Sequence, residues 1–212
     1  MVRGVIFDMD GVLVDTESYY AGRRREFLLS KGAEYQDNWD FTGFSKQAAW
    51  ARMVPEAGLR EKLMAEYDAD YCPRRPIPFA RLADPDVLPL FRELKARGLK
   101  IGIASSSPAE SIGKMAEALG IAQYTDFAAS GEECPAHKPD PAVYLQALRG
   151  LGLQAEEALA VEDSPMGILA ARKAGLFTLA LNAHCGKGAD QSAANAIISR
   201  LGDVLDFLET GL

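Results

Sequence analysis

Cysteine is scarce in this chain. Its 212 residues hold only Cys72, Cys134 and Cys185, far apart, with no Cys-x-x-Cys pair and one left over. That excludes a disulfide framework and reads as free thiols in a reducing compartment, so a cytoplasmic location is expected. Histidine is scarcer still: His137 and His184 are the only two, and no ligand spacing links them to the cysteines, which argues against zinc. Basic charge is also short, 23 lysines and arginines against 30 acids for a net charge of −7. Such a surface repels polyanions, so neither nucleic acid nor an anionic membrane is an expected partner. No apolar run approaches the ~18 residues of a membrane span. The N-terminus enters a strand pattern directly, without a signal-peptide layout, and no repeat or low-complexity tract is visible. What remains is globular: 48% hydrophobic and 25% charged residues, long enough for one generous domain or a domain carrying an insertion.

Five short runs rich in β-branched and small apolar residues predict buried strands: Gly4–Phe7, Lys100–Ala104, Asp126–Ala129, Leu159–Val161 and Thr178–Leu181. Between the later runs lie helix starts. Ser107-Pro108-Ala109-Glu110 offers a hydroxyl cap and an early proline, with Gly120 as a stop; Asp140-Pro141 and Ser164-Pro165 open two more helices. Alternating strand and helix implies a parallel α/β sheet covered on both faces. The spacing has one anomaly. Later strand-to-strand connections run about 16 to 28 residues, whereas roughly 90 separate Phe7 from Lys100, far more than the ~30 or so of one crossover unit. The surplus, about Thr16 to Arg81, carries helical stretches at Tyr20–Lys31, Lys46–Val54 and Leu59–Tyr71 and reads as an inserted helical domain. Pro73, Pro76 and Pro78 stiffen its return, and Asp84-Pro85 starts the helix leading back to the sheet. The expected division is 1–15 with 82–212 as the core and 16–81 as the insertion.

The chemistry gathers where strands end. The first strand runs out into Asp8-Met9-Asp10-Gly11, and open α/β sheets bind ligands at the carboxyl ends of their strands. Taken alone, an Asp-Gly turn or a helix cap explains this pair equally well. Three further signals recur at the same level. Ser105, Ser106 and Ser107 follow the second strand and lead into a helix N-terminus that favours an anion. Lys138-Pro139 follows the third, and Glu162-Asp163-Ser164 the fourth. Asp8, Asp10, Glu162 and Asp163 together would put up to four negative charges at one mouth, which needs a cation. An oxygen-only cluster selects a hard ion such as Mg²⁺. A hydroxyl, a lysine and Mg²⁺ at one point suit a phosphoryl group, which a carboxylate could then attack.

These segments in this order resemble the haloacid dehalogenase superfamily, specifically its β-phosphoglucomutase-like branch with a helical cap. The resemblance rests on Asp8-Met9-Asp10-Gly11 with Asp15, the serine after Lys100-Ile101-Gly102-Ile103-Ala104, Lys138-Pro139 and Val161-Glu162-Asp163-Ser164, and it spans nearly the whole chain. It implies a doubly wound, Rossmann-like parallel sheet of order 3-2-1-4-5 with a small all-α cap inserted after the first strand. It makes Asp8 the nucleophile that forms an aspartyl phosphate and Asp10 the acid and base. Ser105 and Lys138 would contact the phosphoryl group. Mg²⁺ would be held by Asp8, the Asp10 main-chain carbonyl and Asp163, with Glu162 ligating or acting through water. Dehalogenating members lack the second aspartate, so Asp10 favours phosphate chemistry.

The cap implied by the resemblance would supply specificity. Thr16, Tyr20, Thr42, Gly43 and Lys46 are expected near the substrate, with Gly11, Ser106 and Ser107 lining it from the core side. The branch's sugar-phosphate mutases align a histidine with Tyr20 and a lysine with Thr42, and both departures favour hydrolysis over mutase chemistry. Arg23-Arg24-Arg25 reads as a solvated helix face, and Trp39, Phe41, Phe44 and Trp50 as packing. The expectation is a monomeric, Mg²⁺-dependent phosphatase of a small phosphorylated metabolite, a sugar or polyol phosphate, with a mutase as the alternative. A phosphorylation-switched receiver and an inactive binding protein are the remaining readings; the cap-sized insertion disfavours the first and the complete motif set the second.

Overall fold

The computed structural model describes residues 1–36, 39, 46–182 and 189–210, with the side chain of Lys46 not described. In chain order the elements are β1 (Gly4–Phe7), α1 (Thr16–Ser30), α2 (Lys46–Met53), α3 (Ala57–Glu66), α4 (Phe79–Leu82), α5 (Val87–Ala96), β2 (Lys100–Ser105) and α6 (Ala109–Ala118). They continue with β3 (Phe127–Ser130), α7 (Ala142–Leu151), β4 (Ala158–Glu162), α8 (Pro165–Lys173), β5 (Phe177–Leu181), β6 (Ala196–Ile198) and α9 (Val204–Thr210). The chain forms two compact units, Met1–Asp15 with Phe79–Leu212, and Thr16–Pro78. Phe79–Arg81, read from sequence as the end of the insertion, lie with the larger unit.

The larger unit is built on a six-stranded sheet of order β3-β2-β1-β4-β5-β6, parallel throughout. The five strands read from sequence fall in the order 3-2-1-4-5, and β6 is an addition. Three residues of Asn-flanked Ala-Ile-Ile give too little period for sequence to mark it. β1 lies at the centre, between β2 and β4, and all four of its residues are buried. Helices cover both faces. α7 turns Val143, Tyr144, Ala147, Leu148 and Leu151 inward, a helical stripe that packs with Ile6, Ala104 and Ala160. Truncating one such leucine to alanine costs about 2–5 kcal/mol. α5 buries Val87, Leu90, Phe91 and Leu94, and Phe91 stacks on Phe7 with ring centroids 5.1 Å apart.

Helix starts follow sequence with one informative exception. Ser164 caps α8, its Oγ accepting from Gly167 N at 3.1 Å, with Pro165 in the first helical position. At α6 the hydroxyl expected to cap does not: Pro108 occupies the cap position, and Ser107 Oγ donates to Asp10 instead. β3 starts one residue later than the run read from sequence; at Asp126 the backbone N–H donates to the Ile101 carbonyl while the carboxylate accepts the Ile101 N–H, both at 2.8 Å, and pairs with Lys95.

The smaller unit is helical. Phe27, Trp50, Leu63 and Tyr67 form its core, with Phe27 edge-on to Trp50 and Tyr67. The stretch read as one helix from Leu59 to Tyr71 is α3 followed by a π-helical turn over Tyr67–Tyr71. Arg23 corrects the reading of a solvated basic face. Its guanidinium lies over the rings of Tyr19, Tyr20 and Tyr67, 5.3–5.5 Å from their centroids, and donates to Tyr67 Oη and to the Arg75 carbonyl. Cys72 and Cys134 are free thiols. No helix among the described residues is long and apolar enough to cross a membrane.

Candidate active site

Because every strand runs the same way, the carboxyl ends of β1, β2, β3 and β4 open at one edge of the sheet, and each hands over to a polar residue there. Asp8 follows β1, Ser105 and Ser130 end β2 and β3, and Glu162 ends β4 with Asp163 next. All are buried. The adjacency of β1 to both β2 and β4 is what brings residues about 100 and 150 positions apart in sequence to one point.

Lys138 is the hinge of the charge arrangement. Its Nζ donates to Asp8 Oδ1 and Glu162 Oε1, both at 2.6 Å, and to the Ala104 carbonyl at 3.2 Å. An ammonium has three N–H donors, and these three acceptors use them all. Carboxylate oxygens of Asp8, Glu162 and Asp163 lie within 4.8 Å of one another. One ammonium thus faces three carboxyl groups. The Asp8 carboxyl is raised from 3.8 to about 7: burial is the largest cause, Lys138 opposes it, and the negative charges of Glu162 and Asp10 add to it. Lys138 is held protonated well above its ordinary value: burial opposes this, and Asp8 and Glu162 outweigh it.

The excess of buried anionic oxygen and the absence of softer donors in the cluster fit a hard divalent cation such as Mg²⁺. The carboxylates do not contribute alike. Glu162 is fully buried and its oxygens are engaged: Oε1 accepts from Lys138 and from Tyr144 Oη at 2.8 Å, and Oε2 from Asp163 N, Ser164 N and Ser164 Oγ at 3.1–3.3 Å. Five donors meet the roughly four acceptor sites of a carboxylate. The Asp10 carboxylate lies outside the cluster of mutually close oxygens, its Oδ2 accepting from Ser107 Oγ at 2.8 Å.

The remaining residues read from sequence divide by place. Gly11 is buried at φ +86°, and a Cβ there would collide with the Asp163 carboxylate, so glycine is required twice over. Ser105 Oγ accepts from Ser107 N at 3.0 Å, Ser107 is half-buried, and Ser106 is exposed. Thr16 and Tyr20 belong to α1 of the smaller unit, Thr16 fully buried and Tyr20 half-buried beneath the Arg23 guanidinium. Lys46 begins α2. Thr42 and Gly43, like Phe41 and Phe44, lie outside the described residues.

Three side chains with no place in the sequence reading support the site. Tyr144 reaches Glu162 from α7. Ser130 Oγ donates to the Ser107 carbonyl at 2.8 Å, and Gln191 Nε2 donates to the carbonyls of Asp163 and Leu181 at 2.8 and 3.0 Å. Tyr144 alone left a signal: a tyrosine on the apolar stripe of a helix needs a partner for its hydroxyl. Ser130 and Gln191 follow no motif.

A family model described as haloacid dehalogenase-like hydrolase matches residues 2–175. Validoxylamine A 7'-phosphate phosphatase of Streptomyces hygroscopicus subsp. limoneus is 30% identical over 185 residues, covering 85% of this chain and 86% of that protein. Phosphoglycolate phosphatase of Photorhabdus laumondii is 27% identical, covering 98% of this chain and 92% of its own. The crystal structure of β-phosphoglucomutase from Clostridium difficile superposes with a TM-score of 0.77 at 22% identity, covering 99% of this chain and 96% of that one, a likeness of fold.

Proposed function

The chain belongs to the haloacid dehalogenase-like hydrolases, and from that premise we propose that it is a Mg²⁺-dependent phosphatase. Its substrate would be a small organic phosphate monoester, a sugar or polyol phosphate, hydrolysed through an aspartyl phosphate on Asp8. The observation that carries the reading is the buried ammonium of Lys138 between Asp8 and Glu162, with Asp163 beside them. A nucleophilic carboxylate can approach a phosphate dianion only where positive charge cancels their repulsion, and Lys138 supplies part of it. Asp8 and Asp163, with the Asp10 carbonyl, would hold Mg²⁺, whose charge would keep Asp8 ionised and offset that of the phosphoryl group. The phosphatase names of the relatives support the same class.

An Asp8 carboxylate oxygen forms a bond to phosphorus as the ester P–O bond breaks, and Asp10 gives its proton to the departing alkoxide. Asp10, now a carboxylate, takes a proton from water as that water attacks the aspartyl phosphate, releasing inorganic phosphate and restoring Asp8. Ser107 holds Asp10 by one oxygen. In this reading the helical unit, Thr16–Pro78, is the cap that supplies specificity through Thr16, Tyr20, Thr42, Gly43 and Lys46.

The test is turnover of a panel of sugar, polyol and nucleotide phosphates, scored for phosphate release and for isomerisation of a sugar monophosphate. Asp8→Asn is expected to abolish phosphate release and Asp10→Asn to leave a phosphorylated protein that turns over slowly. EDTA should stop the reaction and Mg²⁺ restore it. Ample activity in Asp8→Asn, or full activity in EDTA, would refute the reading, and isomerisation without net phosphate release would make the chain a mutase.

A further inference from the structure

We propose that Gln191, from the segment between β5 and β6, is a positioning residue for Asp163. It holds the Asp163 main chain so that the carboxylate stays beside Asp8, and it thereby sets how tightly the site takes a divalent cation. This rests on the reading of Asp163 as a cation ligand.

Among the described residues between Leu181 and Ile198, Gln191 alone is buried, at 6% exposure. A buried amide costs stability unless its polar atoms are bonded. Gln191 Nε2 donates to the Asp163 carbonyl at 2.8 Å and to the Leu181 carbonyl at 3.0 Å, so both of its N–H donors are used. Two carbonyl acceptors also decide which end of the amide points inward, since only the NH₂ group can serve both. The place is specific. Glu162 and Ala180 are the last pair of the β4–β5 ladder, and Asp163 and Leu181 stand one residue further along each chain. The Gln191 amide joins the two chains at the step where the ladder stops.

Asp163 is thereby held on both sides of its Cα. Its N–H donates to Glu162 Oε2 at 3.1 Å, its carbonyl accepts from Gln191, and its carboxylate lies where a Cβ on Gly11 would overlap it. With the peptide groups on either side fixed, the Cα–Cβ bond is aimed, and a carboxylate oxygen of Asp163 stays within 4.8 Å of those of Asp8 and Glu162. Both Gln191 bonds go to main chain, so Gln191 acts through the placement of Asp163. Removing a side chain that orients a metal ligand weakens metal binding by about 10–100-fold.

Gln191→Met keeps an unbranched side chain and removes both donors. With its fold checked by circular dichroism, it is expected to bind Mg²⁺ about tenfold or more weakly in calorimetry with Mg²⁺ alone. It should need correspondingly more Mg²⁺ for half-maximal phosphate release, while kcat at saturating Mg²⁺ returns to within about threefold of the parent. A side chain that only sealed the end of the sheet would lower the unfolding midpoint in EDTA and leave Mg²⁺ affinity within about twofold; that result overturns the proposal, as does a kcat that stays low at saturating Mg²⁺. Should Gln191→Met fail to fold, Gln191→Asn carries the test. Its amide is one methylene short of the two carbonyls, so the same loss of Mg²⁺ affinity is expected, and unchanged affinity overturns the proposal. Asp163→Ala separates the two levels. Mg²⁺ binding equal to the parent's defeats the ligand reading and the proposal with it, whereas lost binding there beside full affinity in Gln191→Met defeats the role of Gln191 alone.

Discussion

Replacing Lys138 by methionine removes one positive charge from between two carboxyl groups and leaves the volume nearly filled. The side chains of Lys138 and Asp8 are 9% exposed and that of Glu162 is 0% exposed, so solvent screens little of the loss. Breaking a buried ion pair by deleting one partner costs about 3–5 kcal/mol, because the partner is left charged and unpaired. The two carboxyl groups share that loss differently. Glu162 keeps Tyr144 and the donors of the β4–α8 turn, whereas Asp8 loses the ammonium that draws its pKa down. In the metal-free intact protein the Asp8 pKa is raised from 3.8 to about 7, so the stability that its protonated form carries is present at low pH and lost as pH rises through about 7. Below that pH Asp8 is protonated in both proteins and contributes nothing to the difference. Above it, the variant stays protonated where the intact protein has ionised, and the difference grows by at most ~1.4 kcal/mol per pH unit. Urea unfolding in EDTA should therefore show a loss of about 3–5 kcal/mol near pH 8 that is smaller near pH 6. A loss below about 1 kcal/mol near pH 8, or one that shrinks as pH rises, would refute the claim that this ammonium balances two buried carboxyl groups.

Two further substitutions test particular contacts. Gly167→Ala places a methyl group where the Glu162 carboxylate lies; displacing that carboxylate should cost at least tenfold in kcat, read from steady-state turnover, and activity within twofold of the parent would show that Glu162 can move freely. Arg23→Ala strips the guanidinium from the rings of Tyr19, Tyr20 and Tyr67 and from the Arg75 carbonyl. About 1–2 kcal/mol of stability should go with it, seen in denaturant unfolding, and a loss under about 0.5 kcal/mol would return Arg23 to a solvated face.

The primary sequence by itself determined the class of the sheet and the chemistry at its edge. Short buried runs separated by capped helices dictate a parallel α/β core, since such runs need cover on both faces and parallel strands need crossovers. Acids and serines placed directly after those runs belong at the carboxyl edge, whereas Lys138 stands eight residues past β3 and reaches it through its contacts with Asp8 and Glu162. The periods and spacings are local facts. What tertiary structure decided is the division of labour among residues that sequence could only group together. Glu162 and Asp163 are neighbours with the same charge, yet the first is bound by five donors from its own turn, the preceding loop and α7. Ser107 looks like a helix cap and holds Asp10 instead, because the β1 and β2 ends lie side by side. Tyr144, Ser130 and Gln191 enter the site through contacts 18, 23, and 10 and 28 residues away. A hydrogen bond needs atoms within about 3 Å, and only the packing of helix on sheet decides which distant side chains arrive that close.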